Sequence, residues 1–194
     1  MARAFVFPGQ GSQAVGMGRA LVEEFAEARA VFAAVDDALD QKLSHLMWEG
    51  PESELTLTEN AQPALMAVSV AVMRVLEANG VDLVKNAAYV AGHSLGEYSA
   101  LTSAGALDLA DTARLLKLRG QAMQRAVPVG VGAMAALLGL EFETVVEVAA
   151  EAGKGDEICA AANDNAVGQV VVSGHAAAVA RAIDLAKARG AKRA

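Results

Sequence analysis

Gly92-His93-Ser94-Leu95-Gly96 is the stretch that most narrows what this chain can become. It is a G-x-S-x-G pattern with an apolar run before it, Tyr89-Val90-Ala91, and a helix-compatible run after it, from Ser94 to about Thr102. A strand, one sharp turn and a helix give the pattern its meaning. The turn strains the serine backbone, and glycines two places to either side leave room for it and for close packing. Such a turn sets the hydroxyl at the start of the helix, where free N–H groups and the positive end of the dipole favour negative charge. The pattern predicts Ser94 as a nucleophile and the Leu95 N–H as an oxyanion donor.

The remaining sequence supplies elements to match. Ala4 to Phe7 reads as a first strand, closed by Pro8, Gly9 and Gly11. Leu21, Phe25, Ala28, Phe32, Val35 and Leu39 recur at helical spacing, which predicts one helix from Arg19 to Leu39. A loop is expected through Gly50-Pro51. Gln62-Pro63 is then expected to open a long helix, from Ala64 to Asn79, stopped by Gly80. Asp108 is placed as the N-cap of a further helix, with Asp111 completing a capping box, and Val127-Pro128 ends it. After Pro128 the pattern becomes strand (132–140), helix (142–152), strand (158–162), strand (169–172) and helix (176–188). A last strand from Gly190 would complete a split βαβ unit. Two domains are expected, 1–128 and 129–194, the second cut within its last strand.

Composition excludes several classes. At 194 residues and 54% hydrophobic, the chain can bury a core. A formal charge of −7 argues against nucleic acid as a partner, which would call for a basic stripe. No apolar run approaches the roughly 18 residues of a membrane span, so no membrane is expected. The first strand breaks at Pro8-Gly9, too early for a signal peptide, and a cytoplasmic setting is expected. The single cysteine, Cys159, excludes an internal disulfide and leaves too few thiols for a zinc or iron–sulfur site. Its apolar neighbours predict a small core residue. Neither a metal nor a cofactor is expected.

Three further features bear on chemistry. Arg119 has Leu115, Leu116, Ala122 and Met123 at helical spacing around it, whereas Arg114 shares a face with Asp111 and Lys117 and reads as solvated. A guanidinium on an apolar face must find a partner, because burying it unpaired is very costly. Spacing alone leaves open a structural ion pair, a snorkelling side chain or a fork for a substrate carboxylate, with the structural pair the commoner outcome. The loop Pro8-Gly9-Gln10-Gly11-Ser12-Gln13, with Ala14, fits a dinucleotide fingerprint in its first part only. The second strand bearing an acidic residue is missing, and Asp36 and Asp37 fall at a helix end. Its backbone could instead give a second oxyanion donor, with Gln10 lining the pocket. A serine also needs a base, and only His45, His93 and His175 exist. His93 adjoins Ser94 and is expected to pack beneath the turn, His45 to sit on an amphipathic edge, and His175 to cap a helix or face solvent. None of the three is a convincing base.

Phe7-Pro8-Gly9-Gln10-Gly11-Ser12-Gln13, Gln62-Pro63-Ala64, Gly92 through Ala100 and Arg119-Gly120 together resemble the bacterial malonyl-CoA:acyl carrier protein transacylases, over about the N-terminal two-thirds of that family's chain. Polyketide synthase acyltransferase domains are similar too. Met1 lies only six residues before Phe7, leaving no room for an upstream synthase module, which favours the free-standing enzyme of fatty-acid synthesis. The resemblance implies an α/β hydrolase-like large domain with an inserted ferredoxin-like α+β small domain. It implies that Ser94 takes malonyl from malonyl-CoA and passes it to the phosphopantetheine thiol of acyl carrier protein. In that reading Arg119 clamps the malonyl carboxylate, and Gln10 with the Leu95 N–H forms the oxyanion hole. Gln169, in the loop Asn163 to Gln169, and His93 line the substrate site. Phosphopantetheine arrives on the partner, so no resident cofactor is implied.

The family's catalytic histidine lies beyond Ala194, so this stretch alone is expected to turn over poorly. A serine hydrolase on the same turn, and an inactive fragment retaining CoA or carrier-protein binding, are the alternatives. Arg181, Lys187, Arg189, Lys192 and Arg193 would supply either a basic surface for an acidic carrier or a solvated helix face.

Overall fold

The computed structural model describes residues 3–128 and 130–194, a mixed α/β chain that divides into two units, Met1–Arg125 and Ala126–Ala194. The first unit opens with β1 (Ala4–Phe7), followed by α1 (Arg19–Glu24), α2 (Ala26–Leu39), α3 (Leu43–Glu49) and α4 (Glu52–Leu55). Then come α5 (Thr58–Ala78), α6 (Leu83–Asn86), β2 (Tyr89–Gly92), α7 (Leu95–Ser103) and α8 (Leu109–Ala126).

The helix expected from Arg19 to Leu39 is two helices. Phe25 is extended, at φ −117° and ψ 127°, and the break lets Leu21 and Phe25 pack on the same core as Phe32 and Val35. The loop expected through Gly50-Pro51 holds α3 and α4, because Leu43, Leu46, Met47 and Leu55 are all buried there. Pro63 does not open the long helix, which starts earlier, at Thr58. Proline at this place removes one ladder hydrogen bond, to the Glu59 carbonyl. The burial of Ala64, Leu65, Met66, Ala67, Val70 and Ala71 along the same helix offsets that loss.

Helix α5 corrects a second expectation. By length and composition it could cross a bilayer, with a hydropathy of 1.3 over its most apolar window, yet 61% of that window is buried inside the protein. Glu59, Asn60 and Gln62 interrupt the run in the sequence, which is why reading it linearly missed the stretch.

Strands β1 and β2 run parallel, from Ala4 opposite Tyr89 to Phe7 opposite Gly92. Phe5, Phe7 and Val90 face inward on Met73, Leu83 and Ala100. The alternate positions point the other way, leaving Val6 76% and Tyr89 72% exposed, so β2 is not the buried strand its composition suggested.

Helix α8 meets the start of α5 closely at Gly120. A Cβ there would lie 2.4 Å from the Glu59 Cα. One turn away, Lys117 donates to Asn60 Oδ1 at 2.9 Å and pairs with Glu59 at 3.2 Å, rather than facing water beside Arg114. Asp108 caps α8 as expected, accepting from the Ala110 and Asp111 N–H groups at 2.8 and 3.2 Å. Asp111 does not complete a capping box; its carboxylate takes Arg114 instead, at 3.0 Å.

The second unit contains β3 (Gly132–Leu138), α9 (Phe142–Ala152), β4 (Cys159–Ala166), β5 (Gln169–His175) and α10 (Ala176–Ala188). The sheet order is β3-β5-β4, all antiparallel. Leu137, Val170 and Val172 from the sheet pack with Val145, Val148, Val179 and Ala182 from the helices. Cys159 joins this core, and burial pushes its thiol up, partly offset by the Arg181 charge. Strand β4 runs on to Ala166, which pairs with Gln169, so the expected loop from Asn163 to Gln169 is mostly ladder with Val167-Gly168 as its turn. Past α10, Lys192 donates to the Leu138 carbonyl at 2.7 Å and the Arg193 carbonyl accepts from Leu138 at 2.8 Å, placing this segment on the outer edge of β3.

Two predictions test the α5–α8 junction. Gly120→Ala forces the helices apart and is expected to cost about 1–3 kcal/mol, measured as a fall in melting temperature. The hydrogen bond from Lys117, above all, holds the Glu59 carboxyl below its ordinary 4.5, with burial acting against it. A depressed carboxylate contributes stability that is present above its unfolded pKa and lost as pH falls through the folded one. Melting temperature followed below pH 4.5 is therefore expected to drop less steeply in Lys117→Met than in the parent.

Candidate active site

The turn between β2 and α7 is built by three close approaches. A Cβ at Gly92 would lie 1.9 Å from the Gly96 carbonyl carbon, and a Cβ at Gly96 would lie 2.4 Å from the Phe7 carbonyl oxygen. The His93 N–H donates to that same Phe7 oxygen at 3.1 Å, continuing the β1–β2 ladder past Gly92. With no side chain at either glycine, strand, helix and the end of β1 meet at backbone distance. Between them Ser94 adopts φ 54° and ψ −113°. Among the described residues only Asp40 is another non-glycine with positive φ, and it is an ordinary left-handed helix cap. Strain of this kind costs about 1–3 kcal/mol and collects at functional sites. Ser94 is exposed, and Leu95 behind it is buried as the first residue of α7, where its N–H has no intrahelical acceptor.

Arg119 reaches this turn from α8. Its Nη2 donates to Ser94 Oγ at 3.1 Å and its Nη1 to Gln62 Oε1 at 2.5 Å. Its Cζ stands 5.9 Å from the centre of the Tyr98 ring, within cation–π range. Among the described residues no carboxylate pairs with it. The structural ion pair favoured by spacing alone is therefore not what the fold builds. The guanidinium keeps its charge and directs it at the serine hydroxyl, an arrangement suited to holding an anionic group beside a nucleophile.

Gln10 leaves the end of β1 on the loop alongside this turn and donates through Nε2 to Thr58 Oγ1 at 3.3 Å. That loop does not run directly into a helix, since α1 begins only at Arg19, so the rejected dinucleotide reading stays rejected. His93 does not pack beneath the turn. It is exposed with its ring against Gly9, where a Cβ would come within 2.5 Å of Nδ1. His45 is exposed on α3. His175 ends β5 and is the N-cap residue of α10, as its place near the helix start suggested, but it makes no side-chain cap hydrogen bond, and its Nδ1 accepts from the Ile158 N–H at 2.9 Å instead. Gln169 is the exposed first residue of β5, in the second unit. Of the basic residues near the C-terminus, Arg181 pairs with Glu157, and Arg189 with Glu147 and Glu151. Sequence reasoning noticed Gln62 only as part of a motif; the available signal was a fully polar amide on the apolar stretch of α5.

The acyl transferase domain family model matches residues 4–194. The chain belongs to that family. It is 47% identical over 191 residues to malonyl CoA-acyl carrier protein transacylase of Bacillus subtilis (strain 168), covering 98% of this chain and 59% of the relative. The Escherichia coli (strain K12) transacylase is 48% identical over 191 residues, with 98% and 60% covered. Acyl-carrier-protein-S-malonyltransferase from Bartonella henselae superposes with a TM-score of 0.94 at 57% identity, over 100% of this chain and 61% of that one. A type II PKS acyl-carrier protein in complex with its malonyl-transacylase gives 0.92 at 46% identity, again over 100% and 61%. This acyl transferase family member thus spans about three fifths of the length of the relatives it matches.

Relief of the turn gives a test. Glycine tolerates the Ser94 backbone geometry, so Ser94→Gly is expected to raise stability by roughly 1 kcal/mol after its larger unfolded-state entropy is offset, read by denaturant melts. A lower midpoint for that variant contradicts the strained turn.

Proposed function

We propose that the protein transfers a malonyl group from malonyl-CoA to the phosphopantetheine thiol of acyl carrier protein, within fatty-acid synthesis, as part of a full acyltransferase domain. The single observation that carries the reading is the Arg119 guanidinium, which among the described residues is paired only with neutral groups and stands 3.1 Å from Ser94 Oγ. Malonyl differs from acetyl by one carboxylate, and a charged fork beside the nucleophile is what tells them apart.

In this reading Ser94 Oγ attacks the thioester carbonyl, the C–S bond breaks, and the serine proton ends on the released CoA thiol. The carrier thiol then attacks the malonyl ester, and its proton returns to Ser94 as the C–O bond breaks. The Leu95 N–H and Gln10 stabilise the oxyanion of each tetrahedral intermediate. His93 lines the acyl and pantetheine path. The large part, 1–128, is α/β hydrolase-like, supported by the parallel pair and the strand–turn–helix at Ser94. The small part, 129–194, is ferredoxin-like, supported by the β3-β5-β4 order with Lys192 and Arg193 beginning on the β3 edge. No resident cofactor is needed, since the pantetheine comes with the carrier, and the setting is the cytoplasm.

Intact-mass analysis of the full acyltransferase domain after incubation with malonyl-CoA or acetyl-CoA tests this. Malonyl is expected to accumulate on Ser94 ahead of acetyl, and Ser94→Ala to abolish labelling. Arg119→Ala is expected to cut the malonyl preference by roughly tenfold to a hundredfold, the scale of a hydrogen bond to a charged group. Equal labelling by both thioesters, or a label elsewhere, overturns the reading.

A further inference from the structure

Gln62 lies on the second turn of α5 and is fully buried. Its side-chain amide touches two residues of α8. Nε2 donates to Met123 Sδ at 3.3 Å, and Oε1 accepts from Arg119 Nη1 at 2.5 Å. A thioether only accepts and a guanidinium only donates, so the pair of contacts leaves this amide a single orientation. One arm of the Arg119 fork is thereby fixed, and the other is left on Ser94 Oγ.

The type of acceptor matters as much as its position. A carboxylate at this place would bind the guanidinium more strongly and cancel its charge in a part-buried pair. Glutamate is nearly the same size and shape as glutamine, so the cavity does not explain the amide. Tyr98 and Ser94, the other groups on Arg119 among the described residues, are neutral as well. The guanidinium is oriented without being neutralised.

We propose that Gln62, itself oriented by Met123, is a positioning residue that sets selectivity for acyl groups bearing a free carboxylate, by holding Arg119 in place while leaving its charge available. This rests on the malonyl-transfer reading above. Gln62 acts through Arg119 and is not itself placed against the acyl group.

Gln62→Glu is the decisive variant. It is expected to melt at or above the parent temperature, to lose roughly tenfold to a hundredfold of the malonyl-over-acetyl labelling ratio, and to keep labelling by acetyl-CoA. A folded Gln62→Glu that keeps the parent ratio overturns this inference alone. A parent protein with no malonyl preference overturns the functional reading, and this inference with it. Met123→Leu leaves every charge intact and serves if Gln62→Glu does not fold. It is expected to lower the ratio and to quicken rotation of the Arg119 guanidinium, seen as collapse of its separate Nη signals in nitrogen-15 NMR spectra. An unchanged ratio and spectrum in Met123→Leu overturns the inference.

Discussion

The approach of Gly96 to the Phe7 carbonyl settles where the first unit can act. It pins the end of β1 against the start of α7, at a distance only bare backbone reaches, and the His93 N–H closes the same corner. Three things follow from one contact. Ser94 is forced into a backbone shape that lifts its hydroxyl out of the ladder, the Leu95 N–H is left without an intrahelical acceptor, and the loop bearing Gln10 is delivered alongside. The carboxyl ends of parallel strands are where open α/β sheets bind their ligands, and this corner lies at the carboxyl ends of β1 and β2.

In the malonyl-transfer reading proposed above, a turn alone makes a nucleophile without a preference. The preference comes from α8, and α8 is placed by its junction with α5. Gly120 lets the helices touch, Lys117 bolts them through Glu59 and Asn60, and the same turn of α8 presents Arg119 to Gln62 and Ser94. The core of the unit is therefore also the frame that sets a positive charge 3.1 Å from the hydroxyl. Packing and chemistry are here the same set of contacts.

Much of this was legible in the residues. The G-x-S-x-G stretch between an apolar run and a helical one gave the turn, and the apolar neighbours of Arg119 marked it as a cation needing a partner. In the second unit, the bounds of α9 and α10 agree with their periodicity and flanking glycines. Other parts were not legible, for physical reasons. The break at Phe25 preserves the helical spacing on both sides, so periodicity runs through it. Pro63 reads as a helix start because proline usually is one; here a buried helix tolerates the missing bond. The partner of Lys117 lies 57 residues away, where charge patterning along one helix has no reach. The role of Gln62 depends on two contacts from another helix, and its one local sign is a polar amide on the apolar stretch of α5.

The central claim is that a charge left unpaired at position 119 awaits an acyl carboxylate beside Ser94. A crystal structure of the full acyltransferase domain trapped with malonyl on Ser94 tests it most directly. The account predicts both carboxylate oxygens of the malonyl group on the Arg119 fork, with the Gln62 contact retained. A carboxylate turned to solvent, with Arg119 engaged elsewhere, would contradict it.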